Sequence, residues 1–146
     1  MNRRNMLKGL ALLSGFTILP LRAFADMRAA FNAEVPDIAL KELFGGKPIV
    51  ESDAIKLKIP DIAENGAVVP VSISTDIEGV ESISIIIDQN PNPLSASFTI
   101  GENVFADIST RVKMGKSSQV RAMVQTSDKI YTVAKEVKVT IGGCGG

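Results

Sequence analysis

The stretch "GGCGG" at 142–146 holds the residue best suited to chemistry in this chain. Cys144 is the single cysteine among 146 residues, and four of the 12 glycines, Gly142, Gly143, Gly145 and Gly146, surround it. A lone thiol can carry a covalent adduct, form an intermolecular disulfide or sit buried as a small apolar side chain. Flanking glycines and a position near the terminus oppose burial, because glycine offers no side chain to pack and permits almost any backbone angle. The segment is expected to be mobile and thin. From Ile141, five residues extend at most about 17 Å. The sulfur can then enter a narrow cleft on another protein with only glycine backbone behind it.

The surroundings of Cys144 do not activate it. Thiols of low pKa lie near positive charge or a helix N-terminus. The nearest basic residue in sequence is Lys138, and a terminal carboxylate two residues away opposes ionisation. Cys144 is expected to be an attachment point whose reactivity comes from the enzymes it meets. A prenylation box needs cysteine fourth from the end, whereas this one is third.

Elsewhere the chain holds little that could catalyse. It has no histidine, which removes the commonest general base and metal ligand. One cysteine excludes an internal disulfide and a cysteine-cluster zinc site. Carboxylates form no tight cluster. The rigid, polar "DQNPNP" at 88–93 reads as a loop. "GKSS" at 115–118 lacks the upstream glycine and the following helix of a phosphate loop. Serines are plentiful but have no histidine to activate them. Tyr131 reads as strand packing. A carrier rather than an enzyme is expected, with no cofactor and no metal.

The elements that must position Cys144 come next. The first 25 residues are read apart from the body. "MNRRNMLKG" is basic, "LALLSGFTILPL" apolar, and "AFA" a small-x-small cleavage site ending at Ala25. This is the layout of a secretory signal peptide. Its apolar run, interrupted by Ser14, Gly15, Thr17 and Pro20, is too short to span a membrane. "NRRNMLKG" resembles a twin-arginine export signal through Arg3, Arg4, Leu7 and Lys8, with Asn2 and Met6 departing from the usual pattern. The mature chain is expected to start at Asp26 and to work in a bacterial periplasm, free of the membrane. Losing Arg3, Arg4, Lys8 and Arg22 leaves 12 basic against 16 acidic residues, a net −4. Such a surface disfavours nucleic acid and anionic lipid.

In the body, "MRAAFNAEV" is helix-friendly up to Pro36, and "PDIALKELFGG" predicts a short helix ending at Gly45, with Ile38, Leu43 and Phe44 on one face. "IKLKI" predicts a half-buried strand through Ile55, Leu57 and Ile59. From Gly66 onward, short Val-, Ile-, Thr- and Ser-rich runs alternate with period two: Val71 and Ile73; Ile83, Ile85 and Ile87; Val120, Ala122 and Val124; Val133, Val137, Val139 and Ile141. Turn signals separate them. Short strands without intervening helices predict an antiparallel β-sandwich of about six or seven strands, immunoglobulin-like although paired cysteines and a tryptophan are absent. Pro70 predicts an edge strand or a bulge. The expected organisation is a signal at 1–25, a mainly β sandwich domain at 26–141 with a short N-terminal helical segment, and a flexible swinging arm at 142–146.

The terminal "GGCGG", the export signal, "ENGAVVPVSIST" at 64–75 and "NPNPL" at 90–94 together resemble the SoxY family of bacterial thiosulfate oxidation. The resemblance implies an immunoglobulin-like sandwich paired with a SoxZ-like β-protein, and sulfur intermediates held covalently on Cys144. It further implies transient visits to SoxAX-like, SoxB-like and sulfane dehydrogenase-like enzymes. Two alternatives stand beside it. One is a structural or interaction β-module joined through an intermolecular disulfide at Cys144. The other is a ubiquitin-like thiocarboxylate carrier, which requires ATP and a central helix.

Overall fold

The computed structural model describes residues 21–140. Two helices come first, α1 (Leu21–Asn32) and α2 (Pro36–Phe44). Nine strands follow: β1 (Ile49–Glu51), β2 (Ile55–Lys58), β3 (Ile62–Ala63), β4 (Val69–Thr75), β5 (Ser82–Ile87), β6 (Leu94–Thr99), β7 (Asp107–Val112), β8 (Ser118–Gln125) and β9 (Ile130–Val139). They form two layers. The larger sheet has the order β1-β9-β8-β5-β6, with β3 also paired to β9, and the smaller is β2-β4-β7.

The alternation read from the sequence builds the space between the sheets. Val69, Val71 and Ile73 on β4 meet Ile83, Ile85 and Ile87 on β5 and Val120, Ala122 and Val124 on β8 in one buried cluster. Burying such side chains contributes about 1.5–3 kcal/mol each. The sandwich expected from the sequence is the one observed, with seven strands of four or more residues and two shorter ones.

The "III" run of β5 has a second role. Ile86 points away from the sandwich and joins Leu94, Met123 and Ile130 beneath Ala30, Ala33, Ala39 and Phe44 of the helical segment. The central strand is therefore buried on both faces, and its one fully buried polar residue, Ser84, lies on the Ile86 face and shares a 2.9 Å hydrogen bond with Ser97. The helices form a third, partial layer over the outer face of the larger sheet.

Helix α2 starts with Pro36 at its first turn and stops where Gly45 takes φ 61, donating its N–H to Lys41 O at 2.8 Å. A left-handed residue at a helix end suits glycine, which has no β-carbon to clash. The predicted face needs correction. Ala39 and Phe44 are buried and Leu40 and Leu43 pack beside them, whereas Ile38 is 51% exposed. Five residues separate Ile38 from Leu43, and at 3.6 residues per turn that puts the two well apart around the helix.

Two further expectations change. The larger sheet is not wholly antiparallel: β1 and β3 both run parallel to β9, pairing Ile49 with Ile130 and Ala63 with Val139. Between them the chain crosses to the other sheet as β2. Pro70 lies on β4, a central strand, opposite Arg111 of β7. However, β2 pairs with β4 only from Ser72 to Thr75, so Pro70 is beyond the end of that ladder and occupies a local edge. No helix among the described residues is long and apolar enough to cross a membrane.

Candidate functional site

Cys144 and its neighbours Gly142, Gly143, Gly145 and Gly146 lie outside the described residues, as do the signal motif at 2–9 and Ile141. The structure does show the root from which the glycine segment continues. That root is the end of β9, and three consecutive backbone amides fix it. Lys138 N–H donates to Asp61 O at 2.9 Å, and Thr140 N–H to Ala63 O at 3.1 Å. Between them, Val139 N–H turns the other way and donates to Ser117 Oγ at 2.9 Å. Successive strand residues face opposite sides, so β3 holds one side and Ser117 the other.

Gly66 closes the root from beneath. A β-carbon there would lie 2.5 Å from the Met114 carbonyl oxygen and 2.9 Å from Val139 Cγ1. Met114 N–H donates to Gly66 O at 2.6 Å. Only a residue without a side chain permits that approach. Before Gly66, Asn65 Oδ1 accepts from Ala67 N–H at 3.0 Å, a local turn that carries the chain into β4. Further along β9, Lys135 Nζ donates to Ile59 O at 2.9 Å and pairs with Asp61 Oδ1 at 2.8 Å.

The remaining motifs prove structural. Asn90 Nδ2 donates to Lys113 O at 2.7 Å and Asn90 Oδ1 accepts from Gly115 N–H at 3.1 Å, clipping the β5–β6 loop to the β7–β8 loop. Asn92 Nδ2 reaches Ala33 O at 3.4 Å, between the helices. Arg121 Nε and Nη2 both donate to Asp88 Oδ2, at 3.2 and 2.6 Å. The loop reading of "DQNPNP" therefore holds. In "GKSS", Ser117 caps β9, while Ser118 Oγ accepts from Gln89 N–H at 3.0 Å. Tyr131 packs against the main core with Lys129 Nζ 5.6 Å from its ring centre.

The described residues do not assemble a reactive centre around the root. No group of three or more histidine, cysteine or acidic residues able to hold a metal occurs among them. The Asp128 carboxyl is held below its ordinary range, first by the Thr126 hydroxyl, which donates to it at 2.9 Å. Asp128 is exposed in the β8–β9 turn, at the opposite end of β9 from the root.

Sequence reasoning pointed to Cys144 but missed the parts that fix the end of β9: Gly66, Met114, Ser117 and the two-residue strand β3. The signal for Gly66 was present, a glycine between Asn65 and the apolar run of β4. Its purpose depends on Met114, 48 residues away, and no local pattern carries that.

Comparison with known proteins places the chain in a family. The family model for sulfur oxidation protein SoxY matches residues 40–144, a span that covers both the root and the cysteine. A search of curated proteins finds no match. Among solved structures, the sulfur carrier protein SoxY from Chlorobium limicola f thiosulfatophilum shares 44% sequence identity, with a TM-score of 0.66 over 72% of this chain and 96% of that one. With most of its length matched and its sandwich shared, this chain belongs to the SoxY family of sulfur oxidation proteins.

Proposed function

We propose that this protein is a non-catalytic carrier of sulfur intermediates in thiosulfate oxidation, held covalently on Cys144 and working in the periplasm after export. The observation that carries the reading is the contrast between root and tip. Hydrogen bonds from their amides, two to backbone carbonyls and one to the Ser117 hydroxyl, fix Lys138, Val139 and Thr140. Cys144 follows four residues later, with glycine on both sides. Four residues span at most about 14 Å. The thiol is thus tied to a rigid body yet able to project from it through a passage little wider than a backbone.

The chemistry belongs to partner enzymes of the Sox type. In the first step, a haem-containing SoxAX-like enzyme accepts two electrons as the Cys144 sulfur bonds to the outer sulfur of thiosulfate, with loss of the thiol proton. A SoxB-like enzyme then adds water to the terminal sulfonate, releasing sulfate and leaving a persulfide on Cys144. A sulfane dehydrogenase-like enzyme, where present, oxidises that remaining sulfur. A SoxZ-like β-protein is the resident companion. Covalent attachment keeps each charged or unstable intermediate from diffusing away between sites.

Intact mass of the mature protein, purified without reductant from thiosulfate-grown cells, tests this. Sulfur-containing adducts confined to the peptide with Cys144 are expected. An unmodified peptide under every growth condition would sink the reading, and a stable disulfide-linked dimer free of adducts would favour a structural module instead.

A further inference from the structure

The end of the sandwich opposite the root carries an apolar anchor that the fold itself does not use. Phe105 is 93% exposed and Val104 61% exposed, on the loop between β6 and β7. The loop is ordered by its own backbone. Val104 N–H donates to Gly101 O at 3.2 Å, Asp107 N–H to Phe105 O at 2.9 Å, and Thr75 N–H to Ala106 O at 3.0 Å. Asn103 sits at φ 63, a left-handed conformation that asparagine tolerates better than most residues. A side chain held out on a preformed turn loses little conformational freedom when something covers it.

Beside this anchor lies an open groove of about 730 Å³. Its lining includes the carboxylates Asp76, Glu78, Glu81 and Glu102, with neither lysine nor arginine. None of the four forms an ion pair among the described residues. Of the nearby cations, Lys129 pairs with Asp128 at 3.8 Å and Lys47 Nζ donates to Thr126 O at 3.2 Å, while Lys56 stands outside the groove, in an adjoining hollow that it shares with Asp76 and Phe105.

The register fixes where this surface sits. Ser82 pairs with Gln125, and Gln125 with Ile130, so the start of β5 lies at the start of β9. The root of the glycine segment lies at the other end of β9, Val139. A strand of ten residues rises about 33 Å. Even fully extended, the six residues after Thr140 span about 22 Å, less than the length of β9. This patch does not suit pairing with itself in a second copy, because two sets of four carboxylates would face each other.

We infer that the Phe105 end is the docking surface for a stable protein companion whose apolar socket is rimmed by lysine or arginine. This rests on the carrier reading, and it explains how one chain serves two kinds of partner. A companion seated at the Phe105 end leaves the far end of β9, and with it Cys144, free for enzymes that come and go. Aromatic anchors in desolvated pockets carry much of an interface's affinity, and a charged rim supplies specificity and rate.

The test is a calorimetric titration of the mature chain with the purified SoxZ-like companion, at low and high salt. Phe105→Ala is expected to weaken binding about 30-fold or more, the loss usual for a buried anchor. The double variant Glu78→Lys, Glu102→Lys is expected to weaken it mainly at low salt. Both variants are expected to keep the parent's melting temperature and its rate of Cys144 alkylation. The proposal is overturned if folded Phe105→Ala binds within about twofold of the parent, if the parent does not bind this companion, or if Phe105 instead drives self-association. Adducts on Cys144, read by mass in the same preparations, report on the carrier reading separately. Their presence alongside unimpaired binding by Phe105→Ala would remove only the docking surface.

Discussion

Met114 and Gly66 meet backbone to backbone: the Met114 amide donates to the Gly66 carbonyl at 2.6 Å, and the Met114 carbonyl fills the space a β-carbon on Gly66 would need. The same missing β-carbon makes room for Val139 Cγ1. One glycine thus joins the β3–β4 turn, the end of the smaller sheet and the last residue of β9.

Gly66→Ala is expected to loosen this junction. The neighbour at 2.5 Å is main chain and has no rotamer to change. Overpacking of this kind costs about 1–3 kcal/mol. Urea denaturation would show the loss, and hydrogen exchange would show faster opening of the Val139 and Thr140 amides. Unchanged protection at both would contradict the clamp.

Cys144→Ser is expected to abolish sulfur loading and thiosulfate oxidation while leaving the melting temperature as in the parent, since the buried core of the described residues lies between Ala30 and Val137. Thermal unfolding and intact mass together check it. A marked fall in stability would mean that the thiol packs against the body.

Gly143→Leu and Gly145→Leu separate access from chemistry. Alkylation of Cys144 by a small reagent is expected to proceed at the parent rate, while loading by partner enzymes falls, because a branched side chain beside the sulfur obstructs a narrow entrance. Equal loading by parent and variants would remove slimness as the purpose of the glycines.

Ile86→Ala addresses the helical layer. Ile86 is fully buried between β5 and the cluster of Ala30, Ala39 and Phe44. Truncating a buried isoleucine costs about 2–5 kcal/mol. Denaturation would report the cost, and proteolysis within 27–44 is expected to accelerate. Resistance equal to the parent's would mean that the helices are held by something other than this contact.

How far the sequence discloses the molecule varies with distance along the chain. Alternation at Val71 and Ile73, or at Val120, Ala122 and Val124, names the inward face because side-chain direction on a strand repeats every two residues. Pro36 and Gly45 bound α2 by local backbone preference alone. The parallel partners of β9 are silent in the sequence, because "IVE" and "IA" are too short for any period to emerge. Ile86 reads as one more member of an apolar run until the helices give it something to touch. Cys144 draws notice in the sequence because it is solitary and set among glycines. The clamp at the end of β9 does not, because Ser117, Met114 and Gly66 act through contacts between distant segments.

The parallel pairing of β1 and β3 with β9 also bears on synthesis. Two of the three earliest strands, β1 and β3, find their hydrogen-bonding partner only when β9 has emerged from the ribosome, and contacts of such long range form late. A nascent chain lacking β9 has no neighbour for either strand and leaves the place of Val137 in the core unfilled. Completion of the sandwich thereby certifies that translation has passed Val139, five codons short of the cysteine. A quality check that admits only finished folds would reject most chains cut short of Cys144.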